Sequence, residues 1–421
     1  MRTAFSEELL KDPHLKDAER NLRKCVHCGF CTATCPTYLV LGDERDSPRG
    51  RIALMQNMLE SGTAPSPETV KHLDRCLSCL GCRTTCPSGV DYASLIDTSR
   101  VHIEKHYRRP WRERMLRAFV LHMLMRPRLF GLMARAAQLF HPLTPLLPKE
   151  LRAMASKAPR LQSLSSAHRE EIALTSAATR VAVLPGCVQR EMAPSIDLAA
   201  RRVLARRNIS AVPLTQTGCC GSLALHMGQE ELAKSCARKM IAAVEAENVK
   251  SPLDGVLINA TGCAAYMKDY PRLFAGDPEW QARAERFVST LKDFSEVAVP
   301  RTASNKGIRI AYHPPCSLQH GQRIHGLGEK LLAAAGYELT AIPDSHLCCG
   351  SAGSYSLLQP EISSELRERK LAAIRSTGAE IVASGNLGCL SQLAGEDEAP
   401  TVHIAELIDW AEGGPKPVSL R

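Results

Sequence analysis

Two short runs of cysteine constrain this chain more than any other feature. The first is Cys25-Val26-His27-Cys28-Gly29-Phe30-Cys31-Thr32-Ala33-Thr34-Cys35-Pro36. The second is Cys76-Leu77-Ser78-Cys79-Leu80-Gly81-Cys82-Arg83-Thr84-Thr85-Cys86-Pro87. Each reads C-x2-C-x2-C-x3-C-P. Three closely spaced thiolates wrap one face of a cubane [4Fe–4S] cluster, and a fourth comes from farther away. A zinc site uses four ligands, usually as two separated pairs, and gives no reason for this pattern twice over. The spacing predicts two cubanes. Where two such runs occur together, the fourth cysteine of each ligates the other cluster. That rule assigns Cys25, Cys28, Cys31 and Cys86 to one cluster, and Cys76, Cys79, Cys82 and Cys35 to the second.

The rest of the composition agrees with redox work in a reducing compartment. The chain has 421 residues and 17 cysteines. Its first residues, MRTAFSEELLKD, contain no apolar leader. The expectation is therefore a cytoplasmic protein, in which clustered cysteines mean metal or redox chemistry rather than disulfides. No stretch of eighteen uninterrupted apolar residues is present, so no transmembrane helix is expected. A formal charge of +9 permits docking on an acidic partner or an anionic membrane surface. Only 5% of residues are aromatic, and no basic patch is interleaved with aromatics, which argues against nucleic acid.

Along the chain, residues 1–105 read as a helical two-cluster [4Fe–4S] domain. Ser47 is an N-cap signal with Pro48 at the first helical position, and Ile52, Met55, Met58 and Leu59 recur at helical spacing as far as a stop at Gly62. Ser66-Pro67 repeats the start signal, with Val70, Leu73 and Leu77 following. Residues 106–178 differ in character. Arg108, Arg109, Arg112, Arg114, Arg117, Arg126, Arg128 and Arg135 punctuate a Met- and Leu-rich stretch, which Pro127, Pro142, Pro145 and Pro148 divide. A basic amphipathic helix can lie on a membrane surface. The preferred expectation is a connector that packs on its neighbours with its arginines solvated. Residues 153–179 read as a linker.

From Arg180 onward, strand and helix signals alternate, which predicts an α/β fold with a mostly parallel sheet. This part is duplicated. Cys187, Cys219 and Cys220 recur 129 residues later as Cys316, Cys348 and Cys349, and Cys263 recurs 126 residues later as Cys389. The predicted architecture is thus multidomain, with a helical two-cluster ferredoxin-like domain followed by two α/β Cys-Cys-Gly modules, at 179–305 and 306–421.

Each module brings one cysteine after a strand, an adjacent pair, and another cysteine after a later strand. Strand ends converge on one edge of an open α/β sheet, where ligands bind. Four thiols could meet in each module, with Gly221 and Gly350 allowing a tight turn. A metal or Fe–S site is the favoured reading. Buried reduced thiols and a redox dithiol remain open. Cys236 has no partner in the second copy and reads as a core residue. His226, His313, His320, His325 and His346 are near enough in sequence to carry protons. His27, between two ligands, is expected to face outward. No Gly-x-Gly-x-x-Gly follows a strand, no Walker A motif occurs, and no nucleophile arrangement stands out, so substrate oxidation is expected on another chain.

With both parts in view, the chain resembles the iron–sulfur subunits of bacterial glycolate oxidase. The first cysteine run with Thr37 and Tyr38, then Pro48-Arg49-Gly50-Arg51-Ile52 and His72-Leu73-Asp74-Arg75-Cys76, carry the resemblance. Thr85-Cys86-Pro87-Ser88-Gly89-Val90 and Pro343-Asp344-Ser345-His346-Leu347-Cys348-Cys349-Gly350-Ser351-Ala352-Gly353 extend it. More broadly the chain is similar to subunits of glycerol-3-phosphate dehydrogenase, lactate-utilisation and heterodisulfide reductase systems. The resemblance implies separate flavin subunits that oxidise glycolate to glyoxylate. It also implies electron relay through two cubanes towards a quinone-linked acceptor at the inner membrane face. In heterodisulfide reductases such modules hold non-cubane clusters with an extra cysteine. Here Tyr266 and Gln392 stand at those positions, which leaves four candidate cysteines per module.

Overall fold

The helices around the first cysteine run begin at side-chain caps followed by proline. Asp12 accepts from the His14 amide at 2.8 Å and starts helix Pro13–Lys24. Ser47 accepts from the Gly50 amide at 3.0 Å and starts Pro48–Ser61, which ends at Gly62 in the left-handed conformation. Ser66 starts Pro67–Asp74. A cap oxygen satisfies an amide that has no intrahelical partner, and proline at the first position has no amide to satisfy. The structure is a computed structural model, and it describes residues 1–139, 161–162, 164–170, 179–214, 216–300 and 307–420. Helix Tyr92–His106 closes the domain over a core of Leu22, Met55, Leu59, Leu73, Leu95 and Ile103. Leu77 does not continue the second helix, which stops at Asp74. It packs instead in a core shared with Cys348, Tyr355, Ile362 and Leu366 of the last module.

The connector runs as helices Trp111–Leu124 and Pro127–Leu139. Two of its arginines depart from the solvated reading. Arg109 is paired with Asp74 at 2.6 Å, and Arg117 approaches the same carboxylate at 3.8 Å. The breaks expected at Pro142, Pro145 and Pro148 lie outside the described residues. In the segment read as a linker, Ser166–Arg169 is helical, and His168 is buried, with a ring nitrogen 3.1 Å from the Lys416 carbonyl.

Among the described residues the remainder forms two four-stranded sheets. β1 (Thr179–Leu184), β2 (Ile209–Pro213), β3 (Gly255–Ile258) and β4 (Leu291–Asp293) lie in the order β2-β1-β3-β4. β5 (Arg309–Tyr312), β6 (Glu338–Thr340), β7 (Ile381–Ser384) and β8 (Thr401–His403) repeat it as β6-β5-β7-β8. Every pairing is parallel, with Val181 opposite Ala211 and Gly255, and Ala311 opposite Thr340 and Val382. The central strands β1 and β7 are apolar runs, as strands covered on both faces require. The edge strands β4 and β8 are three residues long and carry no run that sequence patterning detects.

The modules share one core. Val183, Ile196, Val203, Leu204 and Leu257 of the first pack with Ile310, Leu331, Ile381, Ile404 and Leu407 of the second. Helix Pro194–Ala205 lies on helix Ile404–Ala411, and the buried Arg202 donates to Asp409 across that seam at 2.6 Å. The sheets therefore form a fixed pair.

Candidate functional site

Both cysteine runs fold into tight loops. The backbone is left-handed at His27 and Gly29 in the first, and at Ser78 and Leu80 in the second. Two adjoining cavities result. One is lined by Cys25, Cys28, Cys31 and Cys86 together with Cys82 and apolar neighbours including Ile52 and Val90. The other is lined by Cys35, Cys76, Cys79 and Cys82 with Leu77 and Leu80. Each cavity therefore gathers three cysteines of one run and the last cysteine of the other. Cys82, Pro48 and Tyr92 form a common wall. His27 is half-buried and rests against Met1.

The electrostatics of these walls favour a cation among the thiols. Burial, then the neighbouring Cys25, pushes Cys31 up to about 11. Burial also raises Cys79 and Cys82, and adjacent thiols add to it. Thiols crowded out of water resist ionising together, and a cation among them removes that penalty. The donor set fits an iron–sulfur group in both chemistry and number.

Arg51 was legible only as part of a family match. It is buried, and donates to the His72 carbonyl at 2.7 Å, Thr37 Oγ1 at 2.9 Å and Asp46 Oδ1 at 3.1 Å. Its Nη1 also lies 3.9 Å from Cys35 Sγ. A fixed positive charge at a thiolate cavity is a potential-tuning element that spacing rules do not reveal.

In both modules the cysteines follow the C-terminal ends of strands. In the first, the thiols form a chain of neighbours, Cys187 beside Cys219 and Cys220 beside both Cys219 and Cys263. Those thiol contacts raise Cys187 and Cys220 and depress Cys219. In the second, Cys316, Cys348, Cys349 and Cys389 form a corresponding chain. Gly221 and Gly350 adopt φ of 95° and 89°, and their amides donate to Cys219 and Cys348 sulfur at 3.4 and 3.5 Å. A Cβ at Gly350 would lie 2.7 Å from the Ser363 carbonyl oxygen, so only glycine lets the loop pass.

The histidines separate. His226 lies 3.7 Å from Asp97, and His325 is exposed. His320 bridges Thr84 Oγ1, at 2.7 Å, to the His346 carbonyl, at 3.2 Å, tying the second cysteine run to the second module. His313 is buried, and burial pushes it down to about 3. One of its nitrogens and the sulfurs of Cys349 and Cys389 all lie within 4.8 Å of one another. Cys236 is half-buried beside the Gly221 loop. Tyr266 packs edge-on against Tyr270, and Gln392 donates to Ser363 Oγ at 3.0 Å.

The second module also touches the cluster domain directly. Cys79 is an electrostatic neighbour of both Cys316 and Cys348. Tyr355 donates to the Arg75 carbonyl at 2.9 Å, next to Cys76.

Comparison with known proteins agrees with this layout. Residues 21–90 match the family model described as a 4Fe-4S dicluster domain, and residues 181–268 and 310–394 each match the cysteine-rich domain. The chain is an iron–sulfur oxidoreductase component, built from one dicluster domain and a duplicated cysteine-rich domain. It is 37% identical to the glycolate oxidase iron–sulfur subunit of Escherichia coli strain K12, over 98% of this chain and 99% of that protein. It is 33% identical to the probable glycolate oxidase iron–sulfur subunit of Bacillus subtilis strain 168, over 94% of this chain and 95% of that one. The lactate utilization protein A of Bacillus velezensis is 32% identical over 45% of this chain and 82% of its own length. The chain belongs to the family of glycolate oxidase iron–sulfur subunits.

Proposed function

We propose that this chain is the electron-transfer subunit of a flavin-dependent complex that oxidises glycolate to glyoxylate. Glycolate gives up two electrons and two protons on a separate flavin-containing subunit, and the electrons leave one at a time towards a quinone-linked acceptor. Cys25, Cys28, Cys31 and Cys86 would hold one [4Fe–4S] cluster, and Cys35, Cys76, Cys79 and Cys82 the second. Bound there, the clusters supply one-electron carriers whose potentials follow charge, hydrogen bonding and exposure. The protein's part is to hold, bury and order them. One observation supports the relay most directly. The two cavities share a wall, and Cys79 of the second adjoins Cys316 and Cys348 of the last module. The eight module cysteines, Cys187, Cys219, Cys220 and Cys263 in the first and Cys316, Cys348, Cys349 and Cys389 in the second, would hold a further metal or Fe–S centre in each module.

The test is anaerobic purification with iron and sulfide quantification and electron paramagnetic resonance, in the parent and in Cys79→Ser. Loss of one cubane signal, together with loss of glycolate-driven acceptor reduction by the assembled complex, is the expected result. Normal turnover with both cubane signals intact in the variant would refute the ligand assignment. Turnover with lactate in place of glycolate would redirect the substrate.

The acceptor side is placed at a membrane surface by this reading. Among the described residues, no helix is long and apolar enough to cross a membrane. The connector helices nevertheless expose Trp111, Met115, Phe119, Leu132 and Leu139 among the exposed Arg112, Arg114, Arg126, Arg128 and Arg135. Apolar anchors flanked by cations suit an anionic lipid surface.

A further inference from the structure

The two cysteine-rich modules are copies, and at three of their buried positions an apolar residue of the first is replaced by a polar one in the second. With the cysteines and the helix after each Cys-Cys-Gly loop in register, Leu184, Met240 and Ile258 of the first module correspond to His313, Lys370 and Ser384 of the second. The three apolar residues belong to the first module's core. Their polar counterparts are just as deeply buried. Burying a polar group is costly unless it finds a partner. Ser384 donates to the His313 carbonyl at 2.9 Å, and Lys370 donates to the Asp344 carbonyl at 2.7 Å. The His313 ring is different: its Nδ1 has no hydrogen-bond partner among the described residues. Its backbone fixes it in place, because the His313 amide donates to the Ala383 carbonyl at 2.8 Å and prolongs the β5–β7 ladder.

What faces the ring is sulfur. The imidazole nitrogen and the sulfurs of Cys349 and Cys389 make a triangle with every edge within 4.8 Å. A tetrahedral ion with bonds of about 2.3 Å to sulfur and about 2.0 Å to nitrogen has donor–donor edges of roughly 3.5–3.8 Å. Small side-chain rotations close this triangle to that size. The Asn386 amide donates to Cys389 sulfur at 3.4 Å, which orients one of the thiolates.

We propose that His313 is a ligand of the metal centre in the second module, giving that centre a mixed imidazole–thiolate donor set, whereas the first module presents thiolates alone. The proposal rests on the reading that the second module holds a metal or Fe–S centre. It has a direct electrostatic consequence. A neutral imidazole brings one negative charge fewer than a thiolate, and the Lys370 ammonium adds a positive one nearby. Both favour the reduced, more negative state, as histidine-for-cysteine replacement does in Rieske centres. The second module, the one beside Cys79, is then the deeper electron well of the two.

The experiment uses the full-length chain, purified anaerobically, as parent, His313→Leu and His313→Cys. His313→Leu installs the aliphatic class of residue found at Leu184, and His313→Cys keeps a ligating side chain. Metal and sulfide content, redox titration and pulsed paramagnetic resonance are read for each, with the parent also grown on 15N-labelled histidine. The expected result is a centre beyond the two cubanes that shows coupling to a directly bound nitrogen, and that coupling changes on 15N labelling. The coupling disappears in both variants, and His313→Cys retains metal at a lower midpoint potential. A loaded second module with no histidine-nitrogen coupling in the parent overturns the proposal, and needs no variant to fold. Metal content limited to the two cubanes overturns it as well, together with the metal reading of that module. In either case, loss of one cubane in Cys79→Ser still tests the relay reading separately.

Discussion

Replacing Arg51 with methionine tests how the cluster domain tolerates a charge at its centre. Asp46 is fully buried and would lose a partner at 3.1 Å, while Thr37 Oγ1 and the His72 carbonyl would lose donors at 2.9 and 2.7 Å. Removing one member of a buried ion pair costs about 3–5 kcal/mol, because the remaining charge is stranded. Here Asp46 keeps Arg75 at 2.9 Å and the His72 ring at 3.1 Å, which places the loss at the lower end, about 3 kcal/mol. At about 1.4 kcal/mol per tenfold, that is roughly a 150-fold rise in the opening equilibrium of the domain. Native-state amide hydrogen exchange over helices Pro48–Ser61 and Pro67–Asp74 reads this directly. The double variant Asp46→Asn with Arg51→Met should recover part of the loss, because it removes the stranded charge. The same substitution should lower the midpoint of the cluster held by Cys35, since a cation 3.9 Å from its sulfur is gone. A change in exchange of less than about 0.5 kcal/mol, the size expected of an ordinary surface substitution, would refute the reasoning.

Three further outcomes follow from other sites. Burial holds His403 down to about 4, while its ring caps helix Ile404–Ala411 through the Ala405 amide at 3.1 Å. The unfolded chain therefore binds a proton that the fold refuses between about pH 6.5 and 4, and stability falls as pH drops through that window by up to about 3 kcal/mol. His403→Asn keeps a capping acceptor and should flatten the fall in urea titrations at pH 7 and pH 5. Gly350→Ala should destabilise by at least about 1–2 kcal/mol, because a left-handed backbone penalises a side chain and Ser363 blocks it, as thermal unfolding would show. Reversing Arg112, Arg114 and Arg128 to glutamate should weaken sedimentation with anionic vesicles roughly a hundredfold, at about 1 kcal/mol per lost cation, and leave neutral vesicles unaffected.

The cysteine spacing alone determined the class of chemistry, because iron–sulfur clusters need thiols at fixed short intervals and few other sites do. The register of Cys187, Cys219 and Cys220 with Cys316, Cys348 and Cys349 determined the duplication. Helix starts at Ser47 and Ser66 were equally local, since a cap acts within one turn. Tertiary structure alone decided the rest. The short strands β4 and β8 have too few residues for a periodic signal and exist only because β3 and β7 offer them an edge. Leu77 left its predicted helix for a core made with residues more than 270 positions away, which no local pattern encodes. The burial of Arg51 against a thiolate cavity, the approach of Cys79 to Cys316, and the turn of His313 towards Cys349 and Cys389 all depend on distances between chain segments remote in sequence. Sequence spacing specifies which donors stand within a few residues of one another. Only packing brings the others to the same point and sets the charge around them.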